Sequence, residues 1–281
     1  MKKYEVPYEN LVERNVGILS SDAQERIRKM HIGVIGIGGV GGLISILLAK
    51  TGFGKITVVD KDSFEISNLN RQILATAKTL GEPKVDVAKR VLEGHNPYVE
   101  VNNMHMDINS EEIAKDIVKD MDMCVIAVDN FETRIRVLRA CKELGIPSVL
   151  VAAFGWKIFV TSFLDKDTDY EMLINAPSLN KEIDGETIDK LDEYQRRFMH
   201  FAEAFDKSYD ENILNKNASI KTLAPVVNLA SCAAVAEVVK YAANVGTMFS
   251  CPDYFTMDLR TLKSWSVQEA GMKTLMSYEE N

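Results

Sequence analysis

With 281 residues, 46% of them hydrophobic, the chain is long enough to bury a full core in one large domain, or in one domain with a smaller appendage. A formal net charge of −8 argues against a protein that binds nucleic acid through general attraction to phosphate, so nucleic acid is not expected among its partners. The four cysteines form no CxxC pair, which argues against a structural zinc site and a disulfide framework and is typical of reduced thiols in the cytoplasm.

An N-terminal arm and a short helix are predicted over residues 1–30. The first residues are charged but no apolar core follows them, so they do not predict a secretory signal, and we expect a cytoplasmic protein. The run SSDAQERIRKM predicts a helix with Ser21 or Asp22 as its N-cap and Glu25 three residues beyond Asp22. Residues 31–49 are apolar, but their repeated glycines favour a strand and a tight turn over a membrane helix, and no membrane is expected as a partner.

Residues 31–164 alternate between two kinds of pattern and predict the nucleotide-binding core. Short apolar runs predict strands at HIGVIGI (31–37), KITVVD (55–60), MCVIAVD (123–129) and IPSVLVAA (146–153). Helical spacing is found in GLISILLAKTG (42–52) and in RIRVLRACKELG (134–145), which ends on glycine. Parallel strands with helical crossovers follow, so the predicted fold class is α/β, a Rossmann-like nucleotide-binding fold with a largely parallel sheet.

The chain changes character after residue 164. Residues 165–222 are polar and acidic with weak periodicity, and they predict an insertion or a mobile segment between core elements. From residue 223 to 246 the sequence predicts a buried, alanine-rich helix that closes on Gly246. A last pair of strands is predicted from YFTMDLR to LKSWSVQ, so residues 223–281 would be a C-terminal extension that completes the sheet of the same domain.

A glycine-rich turn lies between the first predicted strand and the first core helix. Gly36, Gly38 and Gly41 have the GxGxxG spacing, with Gly39 beside them. Such glycines let the backbone approach phosphates, and the helix that follows offers free N–H groups to an anion. Asp60, at the end of the second strand, lies where an acid usually accepts hydrogen bonds from ribose. A tight turn without a ligand is the alternative, and the glycines alone do not separate an ATP enzyme from a nicotinamide dehydrogenase.

The residues after the second strand carry a more specific pattern. Its parts are Asp60-Lys61-Asp62, Ser67-Asn68-Leu69-Asn70-Arg71-Gln72, Gly81-Glu82-Pro83-Lys84 and, later, Val128-Asp129-Asn130 with Arg134. From about Arg14 to about Gly155 the chain resembles the ubiquitin-activating-enzyme-like adenylyltransferases, the group that contains ThiF, MoeB and HesA, whose signature is DxDxxxxxNxxRQ. The resemblance implies an ATP-dependent adenylyltransferase that activates a carboxylate as an acyl-adenylate and releases pyrophosphate. The implied partner is a peptide or small carrier protein with a free carboxylate.

The resemblance also implies the site residues and their roles. Arg71 and Lys84 would stabilise the charge on the phosphorus under attack, and Asp129 would hold Mg²⁺ together with phosphate oxygens. Arg14 resembles an arginine that reaches into the ATP site of the other subunit, and so implies a homodimer. The implied nucleotide-binding residues are Gly36, Gly38, Gly39, Gly41, Asp60, Asp62, Asn68, Asn70, Arg71, Gln72, Lys84 and Asn130.

Plainer roles stay open for several of these residues. Arg71 and Lys84 could be solvated surface residues, and so could Arg14 in its N-terminal arm. Asp129 could cap the helix that follows it, and Asp62 could be either a cap or a ligand.

Other functions are kept as alternatives. A tRNA-modifying dehydratase of the same superfamily shares the GIGGVG and NxNRQ motifs, but that similarity weakens after residue 150. A nicotinamide-dependent oxidoreductase would leave Arg71, Lys84 and Asp129 without a shared purpose. A non-catalytic scaffold of the same fold would not need Arg71 and Asp129 intact.

The chain departs from many members of this group in its cysteines. Many relatives hold zinc with two CxxC pairs, which this chain lacks, so no zinc is expected. Cys124, Cys141 and Cys232 read as small buried hydrophobic residues, and Cys251 lies in a predicted loop without an adjacent base or cation cluster. The pattern therefore implies adenylation without a thioester, with residues 165–222, the part least like the shared core, choosing the substrate.

Overall fold

The computed structural model describes residues 6–202, 204–206, 209 and 221–267. Its strands are β1 His31–Ile35, β2 Lys55–Asp60, β3 Glu100–His105, β4 Met123–Ile126, β5 Ser148–Phe154, β6 Lys157–Phe163, β7 Tyr254–Asp258 and β8 Lys263–Val267. They form one sheet in the order β3-β2-β1-β4-β5-β6-β7-β8. Strands β1 to β5 are parallel, and β6 to β8 continue the sheet in antiparallel fashion. This architecture confirms the predicted α/β fold with a largely parallel sheet that the C-terminal strands complete.

Helices cover both faces of the sheet. They are α1 Tyr8–Leu11, α2 Ser21–Lys29, α3 Gly39–Thr51, α4 Lys84–His95, α5 Glu111–Val118, α6 Phe131–Leu144, α7 Tyr170–Leu173, α8 Gly185–Phe201 and α9 Ala224–Ala243. One hydrophobic core contains residues of α2, α3, α4 and α9, and the other contains residues of α5, α6, α7 and α8. On β1, Val34 belongs to the first core and Ile35 to the second, as expected for a strand buried on both faces.

The order of the strands places a crevice at one edge of the sheet. From β1 the chain crosses through α3 to β2 on one side, whereas β4, the neighbour on the other side, comes later in the chain. The connections after β1 and β4 therefore leave in opposite directions. In open α/β sheets, ligands bind at the carboxyl ends of the strands where this reversal occurs. The fold thus places the glycine turn after β1 and the Asp129 segment after β4 beside each other.

Helix α9 explains the long apolar stretch near the C-terminus. By length and composition alone it could cross a membrane, but more than half of its apolar window is buried inside the domain. It packs along α3, β5 and β6, and the Ser231 hydroxyl donates to the Val40 carbonyl oxygen at 2.9 Å. The predicted alanine-rich helix is confirmed, but its end is not: the helix ends at Ala243, and Asn244 rather than Gly246 takes the left-handed C-cap conformation. Asparagine tolerates that conformation better than most residues.

Several boundaries differ from the sequence predictions. The N-cap of α2 is Ser20, whose hydroxyl accepts from the Ala23 N–H at 3.2 Å, so the prediction of Ser21 or Asp22 is wrong by one or two residues. Strands β3 and β6 were not predicted. Strand β3 reads EVNNMH, a polar sequence that suits its position at the edge of the sheet, where the Asn103 amide donates to Asp86 of α4 at 2.6 Å.

The polar segment after β6 is more regular than its sequence suggested. It contains α7 and α8, whose N-caps are Asp169 and Asp184. Arg139 of α6 forms ion pairs with Glu171 of α7 and Glu111 of α5, both at 2.7 Å. These ion pairs connect the start of the segment to α5 and α6. The role of residues 165–222 in substrate choice, and the domain boundaries given above, stay predictions.

Candidate active site

In the turn between β1 and α3, backbone segments lie so close together that Gly36 and Gly41 cannot be replaced by larger residues without a clash. Gly36 has a φ of +91°, a conformation that L side chains rarely adopt, and a Cβ there would lie 2.8 Å from the Ala127 carbonyl oxygen. A Cβ on Gly41 would lie 1.7 Å from the Gly36 carbonyl oxygen. Gly41 is therefore a packing residue that lets α3 begin directly against the turn.

Replacing Gly41 with alanine is expected to lower the free energy of unfolding by about 1–3 kcal/mol or more, because the new Cβ overlaps a backbone oxygen that cannot move alone. Chemical denaturation measures the loss. Gly94→Ala is the matched control: nothing lies within 4 Å of a Cβ at this position in α4, and alanine is favoured over glycine in a helix. Wild-type stability in the Gly41 variant, or an equal loss in both variants, would contradict the packing role.

Asp60, at the end of β2, fixes the glycine turn. Its Oδ2 accepts from the Ile37 N–H at 2.6 Å and its Oδ1 from the Asp62 N–H at 2.8 Å. Burial raises the pKa of the Asp60 carboxyl, although the Lys84 charge and the two backbone donors oppose that effect. The Asp60 side chain lines the site cavity, and its predicted hydrogen bonds to ribose stay a prediction.

Lys84 is not a surface residue. It begins α4 after Pro83, as predicted, yet only 5% of the residue is exposed. Its Nζ lies 2.9 Å from Asp62 Oδ2 and 3.8 Å from Asp60 Oδ1. Lysine is seldom this buried unless it is paired, so these two carboxylates hold a positive charge at the wall of the cavity. The Asp62 carboxylate is an ion-pair partner of Lys84 and not the helix cap that was considered for it.

Arg71 and Gln72 reach the cavity from the loop between β2 and α4. Arg71 Nη1 donates to the Ser67 carbonyl oxygen at 2.8 Å and to Asn70 Oδ1 at 3.0 Å, which holds the guanidinium at the cavity wall. Gln72 is only 6% exposed, and its Oε1 has no hydrogen-bond partner among the residues that the structure describes. An unpaired buried amide oxygen costs about 1–3 kcal/mol, so Gln72 indicates a ligand with a hydrogen-bond donor.

The segment after β4 supplies an acid, a helix cap and a further cation. Asp129 is exposed and lines the cavity. The cap of α6 is Asn130, whose Oδ1 accepts from the Thr133 N–H at 2.7 Å, so the capping role considered for Asp129 belongs to its neighbour. Arg134 is 4% exposed and donates to the Val128 carbonyl oxygen at 3.0 Å, while its buried Nε has no partner in the described part of the chain. Asn130 and Arg134 also line the cavity.

The side chains just described line one cavity of about 1120 Å³, part of which is open solvent. The predicted residues that line it are Gly36, Gly38, Gly39, Asp60, Asp62, Arg71, Gln72, Lys84, Asp129 and Asn130. A smaller cavity between α6 and α7 contains none of the predicted site residues.

Four predicted residues lie outside this lining. Gly41 packs under the turn, and Asn70 is exposed beside Arg71. Asn68 is buried in a capping box, where its Oδ1 accepts from the Glu65 N–H at 3.0 Å. Arg14 is exposed, and it precedes Asn15, whose amide donates to the Thr51 carbonyl oxygen at 3.1 Å. The predicted nucleotide contacts of these residues stay predictions.

Sequence reasoning missed one part of the cavity wall. It is formed by small and apolar residues at the end of β5 and by residues from later in the chain: Ala152, Ala153, Phe154, Met199, Thr222 and Val227. No motif marks them. For the residues at the end of β5, the one indication was the position of the strand. Because β5 lies next to β4, the carboxyl end of β5 faces the same crevice.

The cysteines offer no activated nucleophile. Cys232 is exposed, so its predicted burial is wrong, because it lies on the side of α9 that faces away from the sheet. Cys251 is buried despite its loop position, and burial together with the nearby acids Asp169 and Asp165 raises the pKa of its thiol to about 12. None of the four thiols lines the site cavity. The expectation that no cysteine forms a thioester stays a prediction.

The cavity suits Mg²⁺ only in the presence of phosphate. Within the described residues, no group of three His, Cys, Asp or Glu side chains could hold a metal. Asp129 and Asp107 both line the cavity and offer hard carboxylate oxygens. Since Mg²⁺ usually takes one or two carboxylates and completes its shell with phosphate oxygens and water, this donor set fits a magnesium–nucleotide complex.

Comparisons with known proteins agree with the geometry. The sequence signature described as the ThiF family matches residues 12–276. The chain is 27% identical to a molybdopterin-synthase adenylyltransferase of Haemophilus influenzae over 246 residues, covering 86% of this chain and 88% of that protein. It is 39% identical to a sulfur carrier protein adenylyltransferase of Thermus thermophilus over 133 residues, covering 47% of this chain and 49% of that protein.

Two further similarities complete the comparison. A tRNA threonylcarbamoyladenosine dehydratase of Bacillus subtilis is 32% identical over 142 residues, covering 50% of this chain and 55% of that protein. The chain thus spans about half the length of several curated relatives. The structure of E. coli MccB with AMPCPP and MccA superposes with a TM-score of 0.69 at 22% identity, covering 88% of this chain and 65% of that one. At this identity the likeness shows the fold alone.

Proposed function

Because the chain belongs to the ThiF family of adenylyltransferase-type enzymes, we propose that it uses ATP to adenylate a carboxylate, most simply the C-terminus of a peptide or small carrier protein. One observation carries the proposal. The fold brings Arg71 and Lys84, from the connection after β2, and Asp129, from the connection after β4, to a single cavity floored by the glycine turn. A family member that had lost its chemistry would have no reason to keep this set of charges together.

The arrangement suits an in-line displacement at phosphorus. The substrate carboxylate attacks the α-phosphorus of ATP, the bond from that phosphorus to the bridging oxygen breaks, and an acyl-adenylate and pyrophosphate result. No general base is needed, since a carboxylate is already ionised near pH 7. Arg71 and Lys84 stabilise the charge that builds on the phosphate oxygens, because fixed cations need no reorganisation as the charge develops. Mg²⁺, held by Asp129, would neutralise further phosphate charge.

ATP–pyrophosphate exchange tests the proposal directly. Labelled pyrophosphate should enter ATP only when the enzyme, Mg²⁺ and a carboxylate substrate are all present. The test substrates are small peptides and carrier proteins with a free C-terminal carboxylate, and the same molecules with an amidated C-terminus are the control. No exchange with the free carboxylate, or equal exchange with the amide, would overturn the proposal.

The dehydratase similarity supports one alternative substrate. It covers half of this chain, and the net charge of −8 counts against a tRNA substrate. Exchange that required tRNA and ignored every peptide would favour this alternative. The family match sets aside the nicotinamide-dependent oxidoreductase.

We also propose that the enzyme works as a homodimer in which Arg14 completes the partner's site. Arg14 is exposed near the C-terminal end of α3, whereas the glycine turn begins that helix. Thirteen residues of helix span about 20 Å, so Arg14 is remote from the site of its own chain. Nearby, Val16 and Ile18 are 71% and 83% exposed, as expected for an apolar surface that a second copy covers.

Co-expression of two inactive variants tests this arrangement. Arg14→Ala and Lys84→Met should each lack exchange activity as homodimers. In a mixed dimer, one of the two sites contains both residues, so random pairing should restore about one site in four. A co-expressed sample that stayed as inactive as either variant alone would contradict the sharing of Arg14 between subunits.

A further inference from the structure

The side chain of Gln195, on helix α8, forms hydrogen bonds with the segment from Asp129 to Phe131. Its Nε2 donates to the Asp129 carbonyl oxygen at 2.6 Å, and its Oε1 accepts from the Phe131 N–H at 3.3 Å. A single amide, more than sixty residues further along the chain, therefore bridges both ends of the turn from Asp129 to Phe131.

The Asp129 carbonyl oxygen and the Phe131 N–H need a hydrogen-bond partner from outside the turn. Phe131 is the first residue of α6, and the first N–H groups of a helix have no acceptor within it. The Asn130 side chain accepts from Thr133 and so leaves the Phe131 N–H free for Gln195. On the N-terminal side of Asp129, the Arg134 guanidinium donates to the Val128 carbonyl oxygen. Gln195 completes a set of contacts that fixes the backbone on both sides of the exposed Asp129 carboxylate.

The rest of α8 makes this contact part of a larger junction. The rings of Tyr194 and Phe198 each lie with their centroids 6.1 Å from that of Phe131. Met199, one helical turn after Gln195, lines the site cavity. Helix α8 thus contacts the backbone of the turn from Asp129 to Phe131 and also contributes to the wall of the cavity.

We propose that Gln195 is a positioning residue that holds the Asp129 turn in the geometry required for a magnesium–nucleotide complex. This inference rests on the proposed function. It gives residues 165–222 a part in building the nucleotide site, beyond the substrate choice expected of them. Contacts of this kind, which orient a ligand without touching the metal, typically change metal affinity or activity by about 10–100-fold when removed.

Gln195→Met tests the proposal, because methionine keeps the length and helix propensity of glutamine but neither donates to Asp129 nor accepts from Phe131. Arg197→Ala is the matched control, since Arg197 lies on the same helix and its ion pair with Glu193 is solvent-exposed. Calorimetric titration with a non-hydrolysable ATP analogue, with and without Mg²⁺, is the readout. Gln195→Met should bind the analogue about 10-fold more weakly when Mg²⁺ is present, approach wild-type affinity at higher Mg²⁺, and match wild type when Mg²⁺ is absent.

A second measurement reports on the contact itself. Amide hydrogen exchange at Phe131 should be faster in Gln195→Met than in wild type and unchanged in Arg197→Ala. If Gln195→Met bound the analogue equally more weakly with and without Mg²⁺, the role of Gln195 would be merely structural. An affinity that depended on Mg²⁺ as it does in wild type would also overturn the proposal. If the wild-type protein bound no nucleotide at all, both the proposed function and this inference would be overturned. If the wild-type protein bound the analogue and Gln195→Met bound it equally well, only this inference would be overturned.

Discussion

Replacing Lys84 with methionine is expected to lower the rate of ATP–pyrophosphate exchange by about 10²–10³-fold, the usual effect of removing one fixed group that stabilises transition-state charge. Methionine keeps most of the aliphatic stem and removes the ammonium group. That ammonium is buried beside Asp60 and Asp62 at the cavity wall, where it would act on the phosphates as a fixed charge. The exchange assay described above, at saturating substrate, gives the rate.

Arg90→Met is the matched control for Lys84. Arg90 lies on the same helix, but it is exposed and its ion pair is with Glu82, away from the cavity. Its loss should leave exchange within about a factor of two of wild type, as for most surface changes. Thermal unfolding of both variants separates loss of chemistry from loss of fold. A folded Lys84→Met protein with exchange close to the wild-type rate would show that this charge does not act on the phosphates, and would favour a non-catalytic scaffold.

The second large effect is expected for Asp129→Asn. Asparagine keeps the shape of the side chain and removes the charge that would hold Mg²⁺, so exchange should fall by about 10²-fold and require more Mg²⁺. Because the Asp129 carboxylate is exposed and does not cap α6, the stability of the fold should be almost unchanged. Exchange rates measured over a series of Mg²⁺ concentrations test both parts.

Asp116→Asn provides the control for Asp129. Asp116 is an exposed acid on α5 that forms an ion pair with Lys119 and does not line the cavity, so its loss should change neither the rate nor the Mg²⁺ requirement. If Asp129→Asn exchanged pyrophosphate like this control at every Mg²⁺ concentration, Asp129 would not be a magnesium ligand.

Local patterns in the sequence were sufficient to select residues most of which line a single cavity. The GxGxxG turn, the acid after β2 and the cations of the following loop are determined by contacts within short stretches of chain, and the structure brings most of them to one cavity. Lys84 illustrates the limit. Its place at the start of a helix could be predicted from Pro83, but its burial depends on Asp60 and Asp62 folding back over it.

Features set by distant parts of the chain could not be predicted. Gln195 meets Asp129 only because α8 packs on Phe131, and nothing near either residue signals that contact. Cys232 lies in an apolar helix that is buried on one side only, so its exposure depends on which side faces the sheet. The N-cap of α2 was ambiguous because Ser20, Ser21 and Asp22 are all good capping residues.

A crystal structure of the chain with Mg²⁺ and a non-hydrolysable ATP analogue tests the central claim most directly. The triphosphate should lie over the glycine turn, within contact distance of Arg71 and Lys84, with Mg²⁺ between its oxygens and Asp129. A hydrogen bond from the nucleotide to the now unpaired Gln72 Oε1 should accompany it. A nucleotide bound elsewhere, or one whose phosphates avoid all three charged side chains, would contradict the assignment.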